Sequence, residues 1–404
     1  MSKRIMIVGT GQAGVQVAVS LRQGGFDEEI VMVGAETHVP YQRPPLSKQV
    51  LKKEWAAERC QLRHLEFYQD HDIELLQGTR ATRLDTGGSN LELDDGSVWH
   101  YDALALCTGS RLNRLNMDGG DLPEVRYLRT VDDALDLSGR LQPDSRLVVI
   151  GGGYIGLEVA AAARGLGADV TVIEALDQVM QRSALPEIAA FLRRRHEDAG
   201  VSFVMGARVS HIVGDGRVEA VELEDGRQIP ADVVMVGVGV RPDLRLVEGS
   251  GVETARGVRV DGGCRTNVEN VFAAGDVAES AHPLLDGWHV LESVQNAVSQ
   301  GKIVAANMLG RDETYSEVPW FWSEQYDSRL QMAGIPRTSD RHVFRANPDT
   351  GGMSVFCVAG DYVSAVQCID SPRDYMVGRQ LISNRTTVQD APLADHHFNL
   401  KELL

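Results

Sequence analysis

The sequence has no long uninterrupted apolar segment. A membrane-spanning helix needs a run of about 18 apolar residues, and none occurs. The chain passes from Met1-Ser2-Lys3-Arg4 directly into the strand-like residues 5–8. A secretory signal peptide would need a longer apolar stretch and a cleavage site of small residues. We therefore expect a cytoplasmic protein with no membrane span.

Cysteine is scarce and scattered. The five cysteines (Cys60, Cys107, Cys264, Cys357 and Cys368) are odd in number and widely separated, and they form no C-x-x-C pair. This pattern suggests neither a redox dithiol nor a zinc or iron–sulfur site. We expect reduced cysteines that pack in the core, and no bound metal.

Positive charge is also in short supply. The 40 Lys and Arg residues are outnumbered by 57 Asp and Glu residues, and the formal net charge is −17. This balance argues against nucleic acid or an anionic membrane as the main partner. A local basic patch for an acidic protein partner remains compatible with it. With 404 residues, the chain is long enough for two or three domains.

One sequence pattern occurs twice in the chain. Residues 5–14 read I-M-I-V-G-T-G-Q-A-G, and residues 147–156 read L-V-V-I-G-G-G-Y-I-G. Each has a short apolar run, typical of a strand, followed by G-x-G-x-x-G. The residues that follow predict a helix and a second strand in each unit, namely 15–23 and 30–33 in the first, and 157–165 and 170–173 in the second.

The glycines of such a turn have separate roles in binding a dinucleotide. The first permits the tight turn, the second lets the backbone approach a pyrophosphate, and the third lets helix and strand pack closely. The helix then offers backbone N–H groups and its positive dipole end to the phosphates. One motif alone can be a simple turn, whereas two, each between strands, predict two dinucleotide sites. The glycines concerned are Gly9, Gly11, Gly14, Gly151, Gly153 and Gly156.

The two units differ after their second strand. Glu174 follows Gly151 by 23 residues, close to the spacing of about 20 expected for an acid that binds the adenosine ribose. A carboxylate there would accept bonds from the ribose hydroxyls and repel a 2′-phosphate, which predicts NADH rather than NADPH. Glu36 follows Gly9 by 27 residues. This looser spacing fits either a ribose ligand or a solvated turn carboxylate.

Two further strands end in residues suited to a cofactor. Residues 271–277 read V-F-A-A-G-D-V, and residues 104–109 read L-A-L-C-T-G. The turn after the first could place Asp276 against a polar cofactor chain while Gly275 allows close approach. A Gly-Asp turn alone is common, so it gains meaning only beside the two dinucleotide units. Together these features predict FAD in the first unit and NADH in the second.

Seven motifs in order resemble those of a known family. Over essentially its whole length, the chain is similar to the FAD-dependent ferredoxin reductases that serve bacterial haem-thiolate monooxygenases and Rieske dioxygenases. R-P-P-L-S-K and P-W-F-W are specific even separately. The motifs are G-T-G-Q-A-G (9–14), P-Y-Q-R-P-P-L-S-K (40–48), C-T-G (107–109), G-G-G-Y-I-G-L-E (151–158), A-A-G-D-V (273–277), L-E-S-V-Q-N-A (291–297) and P-W-F-W-S-E-Q-Y-D (319–327).

The resemblance implies a fold, an activity and a partner. The fold class would be α/β and glutathione-reductase-like, with two Rossmann-like dinucleotide-binding domains and an α+β C-terminal domain. The FAD domain would be split between 1–112 and 240–317, around an NADH domain at 113–239, with the C-terminal domain at 318–404. The activity implied is NADH-dependent reduction, through FAD, of a [2Fe-2S] ferredoxin that feeds an oxygenase. We expect a monomer or a weak homodimer.

The resemblance also implies roles for individual residues. Lys48 matches a lysine beside the flavin N5 edge, Glu158 its ion-pair partner near the nicotinamide, and Trp322 an aromatic residue beside the flavin, whereas Trp320 would only pack. Arg129 would contact the flavin. The cofactor-binding residues implied, besides the glycines above, Lys48 and Glu158, are Ala13, Ala35, Glu36, Arg43, Ala81, Thr108, Gly109, Arg129, Tyr154, Ile155, Glu174, Arg182, Gly239, Gly275, Asp276, Ser293 and Val294.

Some features depart from the family pattern or leave alternatives open. Val294 stands where some members have tryptophan, and Ala35 where an acid is frequent. Residues 37–48 contain no cysteine, which disfavours disulfide and peroxide reductases of this fold. An NADH oxidase or diaphorase, or an NADH-sensing flavoprotein of apoptosis-inducing-factor type, remains an alternative. Basic residues that could contribute to partner docking, although a solvated surface charge is the simpler interpretation of each, are Lys302, Arg311 and Arg329.

Overall fold

The computed structural model describes residues 3–404. The helices are α1 Gln12–Gln23, α2 Leu65–Asp70, α3 Val131–Arg140, α4 Tyr154–Gly165, α5 Pro186–Asp198, α6 Val294–Met308, α7 Pro372–Asn384 and α8 Asp390–Ala394. The first strands are β1 Arg4–Val8, β2 Glu29–Gly34, β3 Ile73–Gln77, β4 Ala81–Asp85, β5 Asn90–Leu93, β6 Val98–His100, β7 Ala103–Leu106, β8 Ser110–Leu112, β9 Val125–Arg126, β10 Arg146–Ile150, β11 Asp169–Ile173, β12 Ser202–Val204 and β13 Val209–Gly214. The remaining strands are β14 Val218–Leu223, β15 Gln228–Pro230, β16 Val233–Val236, β17 Val240–Pro242, β18 Val258–Val260, β19 Val271–Ala273, β20 Ala278–Ala281, β21 Trp288–Val290, β22 Trp320–Gln325, β23 Ser328–Gly334, β24 Arg341–Ala346, β25 Met353–Ala359 and β26 Tyr362–Ile369.

The chain divides into two compact units, and each is built from separate segments. The first unit comprises the chain up to Gln42, together with Cys60–Arg111 and Arg241–Trp320. The second comprises Arg43–Arg59, Leu112–Val240 and Phe321–Leu404. The division into three domains, with boundaries at 112, 240 and 317, remains a prediction. No helix in the described part of the chain is both long and apolar enough to cross a membrane.

The first unit is organised around a five-stranded parallel sheet in the order β19-β7-β1-β2-β3. In β1, Ile5 and Ile7 belong to one apolar cluster, and Met6 and Val8 belong to another. This alternation means that both faces of the strand are covered, which is why β1 is apolar throughout. Strands β4, β5 and β6 form a small antiparallel sheet beside it.

The second unit repeats the arrangement. Its parallel sheet has the order β12-β11-β10-β16-β9, so β10 lies between β11 and β16 as β1 lies between β2 and β7. Both predicted β-α-β units are therefore confirmed. Helices α1 and α4 begin at Gln12 and Tyr154, three residues before the predicted starts. The reason is that the last glycine of each motif already lies in the first helical turn.

The C-terminal part of the second unit is an antiparallel sheet in the order β22-β23-β26-β25-β24, with α7 packed on it. Leu157 of α4 and Ile188 of α5 share an apolar core with Val355 and Ile369 of this sheet. The sheet is thereby fixed to the two helices that follow the second glycine turn. The predicted α/β class with an α+β C-terminal part is confirmed.

Candidate active site

Both glycine turns have a backbone that only glycine can adopt. Gly9 has φ of 111°, and a Cβ there would lie 2.0 Å from the carbonyl oxygen of Cys107. Gly151 has φ of 108°, and a Cβ there would lie 2.4 Å from the carbonyl oxygen of Gly237. Any other side chain would clash with the neighbouring strand end and strain the backbone. The predicted role of the first glycine in each motif has a direct geometric basis.

The helix that follows each turn presents an open N-terminus. Gly11 and Gly153 are the N-cap residues of α1 and α4, and no described side chain caps either helix. A Cβ added to Gly11 or Gly153 would have nothing within 4 Å. The first backbone N–H groups and the positive end of the helix dipole therefore have no capping side chain in either helix. This geometry fits a pyrophosphate at both turns.

In the first unit, two separate segments return to the start of α1. Strands β7 and β19 pair side by side, and Cys107 and Ala274 follow directly after them. The next residue, Gly275, approaches Ala13, because a Cβ on Gly275 would lie 3.1 Å from that of Ala13. The Ser110 hydroxyl donates to the carboxylate of Asp276 at 3.0 Å. The predicted residues Ala13, Thr108, Gly109, Gly275 and Asp276 are thus brought to one edge of the sheet.

Three further residues of the first unit, Ala35, Glu36 and Ala81, were predicted to bind the cofactor. Glu36 follows β2, at the same sheet edge as the glycine turn, because β1 and β2 are parallel. The Tyr41 hydroxyl donates to its half-buried carboxylate. Ala35 is exposed, and Ala81 is half-buried at the start of β4. The roles of these residues toward a cofactor remain predictions.

In the second unit, Glu174 is held against the glycine turn. The backbone N–H of Gly152 donates to one carboxylate oxygen at 2.7 Å, and that of Leu176 donates to the other at 2.9 Å. Each oxygen can accept a further bond. The carboxylate is therefore oriented beside the predicted pyrophosphate site and keeps acceptor capacity for ribose hydroxyls. Arg182 and Gly239 are both exposed.

A buried ion pair is the most distinctive feature of the second unit. The ammonium of Lys48 lies 2.7 Å from Glu158, and the side chains are 12% and 4% exposed. The hydroxyl of Ser47 donates to the same carboxylate oxygen at 2.5 Å, and that of Ser323 donates to the other oxygen at 2.7 Å. Lys48 also donates to the carbonyl of Pro44 at 3.2 Å. A carboxylate so deeply buried needs such partners, because an unpaired buried charge is strongly destabilising.

Sequence reasoning did not identify Ser47 and Ser323 as partners of Glu158. Ser47 lies inside the motif R-P-P-L-S-K, and Ser323 directly follows Trp322 in P-W-F-W-S-E-Q. Their place in these motifs was the only available signal. Neither spacing nor periodicity indicates that the two hydroxyls meet at a helix residue more than a hundred positions away from each.

Aromatic residues of the second unit lie near the start of α4. The rings of Tyr154 and Phe321 are 4.7 Å apart between centroids, and Phe321 is next to the ring of Trp322 at 6.3 Å. Burial raises the pKa of Tyr154 to about 12, so its hydroxyl stays protonated. Ile155 is 45% exposed, which is unusual for a large apolar residue and leaves it accessible to a ligand.

The remaining predicted residues are distributed over both units. In the second unit, the guanidinium of Arg43 donates to the carbonyl of Arg129. In the first unit, Ser293 caps α6 by accepting a bond from the N–H of Asn296 at 3.1 Å, and Val294 is the first residue of that helix. That these four residues contact a flavin remains a prediction.

The cysteines are not arranged for thiol chemistry. All five are buried, and none forms a disulfide. Burial raises the pKa of Cys107, which follows β7 beside the first glycine turn, to about 12. A thiol that stays protonated is a poor nucleophile. In residues 3–404, no group of three or more His, Cys, Asp or Glu side chains could hold a metal ion.

Known proteins match nearly the whole length of the chain. Residues 3–301 match the family model of the pyridine nucleotide-disulphide oxidoreductases, and residues 320–404 match that of the reductase C-terminal domain. Rhodocoxin reductase of Rhodococcus erythropolis is 43% identical over 98% of this chain and 93% of its own length. The ferredoxin–NAD(+) reductase component of the anthranilate 1,2-dioxygenase system of Burkholderia cepacia is 40% identical, over 99% of this chain and 98% of its own.

A solved structure agrees equally well. The reductase in the covalent complex of putidaredoxin reductase with putidaredoxin superposes with a TM-score of 0.96 at 37% identity, covering 99% of this chain and 98% of that one. The fold and the two nucleotide turns define a flavin- and nicotinamide-dependent oxidoreductase. The chain belongs to the pyridine nucleotide-disulphide oxidoreductase family, among the putidaredoxin reductase-like ferredoxin reductases of oxygenase systems. The resemblance carried by the motifs is confirmed.

Proposed function

We propose that this chain transfers electrons from NADH through FAD to a [2Fe-2S] ferredoxin that feeds an oxygenase, and that it does so in the cytoplasm. The observation that carries the proposal is the presence of two open glycine turns, one in each unit, each with an uncapped helix behind it. Two dinucleotides in one chain suit a relay between a nicotinamide and a flavin. The relatives above are named as reductases of rhodocoxin, of putidaredoxin and of the ferredoxin of a dioxygenase system.

The residues divide into two binding sets. The turn at Gly9 and Gly11 would hold the FAD pyrophosphate, with Asp276 on its polar chain, and the turn at Gly151 and Gly153 would hold the NADH pyrophosphate. A bound FAD would supply the chemistry that links two-electron hydride transfer from NADH to one-electron transfer to a carrier. We also propose that the chain has three domains and that the FAD domain is split around the NADH domain.

The preference for NADH would come from Glu174. Its two backbone hydrogen bonds hold the carboxylate in a fixed orientation beside the turn. A carboxylate there accepts bonds from both ribose hydroxyls, and it repels the 2′-phosphate of NADPH. The first cation after Glu174 along the sequence is Arg182, which is eight residues further on and exposed.

The ion pair would serve the hydride transfer. By the family pattern, Lys48 would stabilise the negative charge of a reduced flavin, Glu158 would keep Lys48 in place, and Trp322 would contact the flavin. A cation that is fixed before the reaction stabilises developing charge without reorganisation. The pairing at 2.7 Å and the burial of Glu158 support this assignment, because they restrict Lys48 to one position.

The test uses the purified holoenzyme under anaerobic conditions. NADH should bleach the flavin rapidly, and subsequent mixing with a panel of oxidised two-iron ferredoxins should reduce about two ferredoxins per NADH. NADPH at the same concentration is the matched control and should bleach the flavin far more slowly. Bleaching that is reversed only by oxygen or dyes would refute the ferredoxin function and favour an oxidase or a switch. A flavin that NADH does not bleach would refute the reductase function altogether.

A further inference from the structure

A continuous chain of hydrogen bonds leads from Glu158 into the interior of the second unit. The Ser323 hydroxyl lies 2.7 Å from Glu158, and the side-chain amide nitrogen of Gln325 lies 3.2 Å from that hydroxyl. The amide oxygen of Gln325 lies 3.0 Å from Nε2 of His196, and the Tyr326 hydroxyl lies 3.2 Å from Nδ1 of the same ring. Glu158, Ser323, Gln325 and His196 are all buried.

Every hydrogen bond in this series is donated in the direction of the Glu158 carboxylate. Gln325 donates its N–H to Ser323, so its oxygen accepts the Nε2–H of His196. Nδ1 of the neutral ring then accepts the O–H of Tyr326. Burial lowers the pKa of His196 to about 4, which keeps the ring in the neutral form that this pattern requires. Hydrogen bonds aligned in one direction polarise and strengthen one another.

The position of these groups is set by two elements. Ser323 and Gln325 lie two residues apart on β22 and therefore project from the same face of the strand. His196 lies in the last turn of α5. An imidazole, an amide and a hydroxyl in a core stabilise the fold less than apolar side chains of the same volume would, because their desolvation must be offset first. This suggests that the polar set serves the carboxylate at its end.

We propose that His196 is a positioning residue, which acts through Gln325 and Ser323 to keep the Ser323 hydroxyl donating to Glu158 and so holds that carboxylate in the orientation that pairs with Lys48. The effect on hydride transfer rests on the function proposed above. The orientation itself rests only on contacts within the second unit.

The physical link is the orientation of the Gln325 amide. A donor at position 196 requires the amide oxygen to face it, so the amide nitrogen faces Ser323. Without that donor the amide can turn over, and its oxygen then competes with Glu158 for the Ser323 hydroxyl. Glu158 would lose one of its hydroxyl donors, and its pairing with Lys48 would loosen. The loss of one hydrogen bond to a charged group corresponds to roughly a tenfold change in rate.

The kinetic test compares variants that differ in donors rather than in size. In the holoenzyme, His196→Leu removes the donor, whereas His196→Gln keeps an amide N–H near the position of Nε2. Gln325→Glu is nearly isosteric, but it accepts from both neighbours and should draw the Ser323 hydroxyl away. We expect His196→Leu and Gln325→Glu to lower the limiting rate of anaerobic flavin reduction by roughly tenfold, with little change in the half-saturating NADH concentration. His196→Gln should restore the rate to within about twofold.

Melting temperatures decide whether a loss of rate is merely structural. If His196→Leu does not fold, Gln325→Glu carries the comparison alone. Equal limiting rates in wild type and a folded His196→Leu or Gln325→Glu would overturn the inference, as would a His196→Gln variant as slow as His196→Leu. In those cases NADH still bleaches the wild-type flavin, so the proposed function stands. Failure of every ferredoxin to be reduced would refute the function and leave the inference intact.

A second readout needs neither NADH nor a ferredoxin. Nitrogen NMR of the holoenzyme labelled with ¹⁵N-histidine should show His196 as the tautomer protonated at Nε2 and bare at Nδ1. The signal is assigned by its absence in His196→Gln. A ring protonated at Nδ1, or at both nitrogens at neutral pH, would overturn the proposed direction of the chain.

Discussion

Replacement of Lys48 by methionine should expose how strongly the second unit depends on its buried ion pair. The lysine is 12% exposed and its partner Glu158 only 4%. After the substitution the carboxylate would keep the hydroxyls of Ser47 and Ser323 but would have no counter-charge. Loss of one partner of a buried pair typically destabilises a protein by about 3–5 kcal/mol. We expect about 3 kcal/mol here, because the two hydroxyls remain.

Replacement of the other partner, Glu158, should lower the free energy of unfolding by a smaller amount. In Glu158→Gln, the buried position becomes neutral, and Lys48, the more exposed partner, can turn its ammonium toward water. We expect a loss of about 1–2 kcal/mol. The double variant removes both charges, so its cost should fall below the sum of the single costs by about 2 kcal/mol.

The assay is urea unfolding of the holoenzyme at one fixed excess of FAD. Bound cofactor adds to stability, so its concentration has to be the same for all variants. Lys52 and Glu54 form a matched control pair at 3.0 Å, with side chains 35% and 51% exposed. Their coupling should be at most about 1 kcal/mol, as for other exposed pairs. Additive costs for Lys48 and Glu158, or a coupling no larger than that of the control pair, would refute the reasoning.

Two further changes probe separate parts of the second unit. Glu174→Lys should shift the preference from NADH toward NADPH, because a cation would replace the carboxylate that repels the 2′-phosphate; an unchanged ratio of kcat/KM for the two cofactors would show that Glu174 does not read the ribose. Burial lowers the pKa of His196 in the folded protein from its ordinary 6.5 to about 4. As the pH drops, the unfolded chain therefore takes up a proton before the folded protein does. The free energy of unfolding should fall between about pH 6.5 and about pH 4. The loss of unfolding free energy should approach about 3 kcal/mol in wild type and be smaller in His196→Gln. Identical profiles of unfolding free energy against pH in the two proteins would contradict the low pKa of His196.

Much of the fold was predictable because its signals are local. A strand covered on both faces has to be apolar throughout, and residues 5–8 and 147–150 are. A turn with φ near 110° against a neighbouring strand requires glycine, as at Gly9 and Gly151. The helix starts were predicted three residues too late. The last glycine of each motif lies in the first turn of the helix, whereas its sequence pattern assigns it to the loop before the helix.

The site was predictable only in part. The sequence by itself determined the two glycine turns and the acid at 174, since spacing along the chain suffices to specify them. Taken alone, Lys48 reads as a surface lysine and Glu158 as a helix-face carboxylate, and only family motifs connected them. Tertiary structure decided that they meet across 110 positions, and that Ser323 and His196 complete their surroundings. Burial and hydrogen-bond partners depend on side chains from distant segments, and no local pattern encodes which segments will meet.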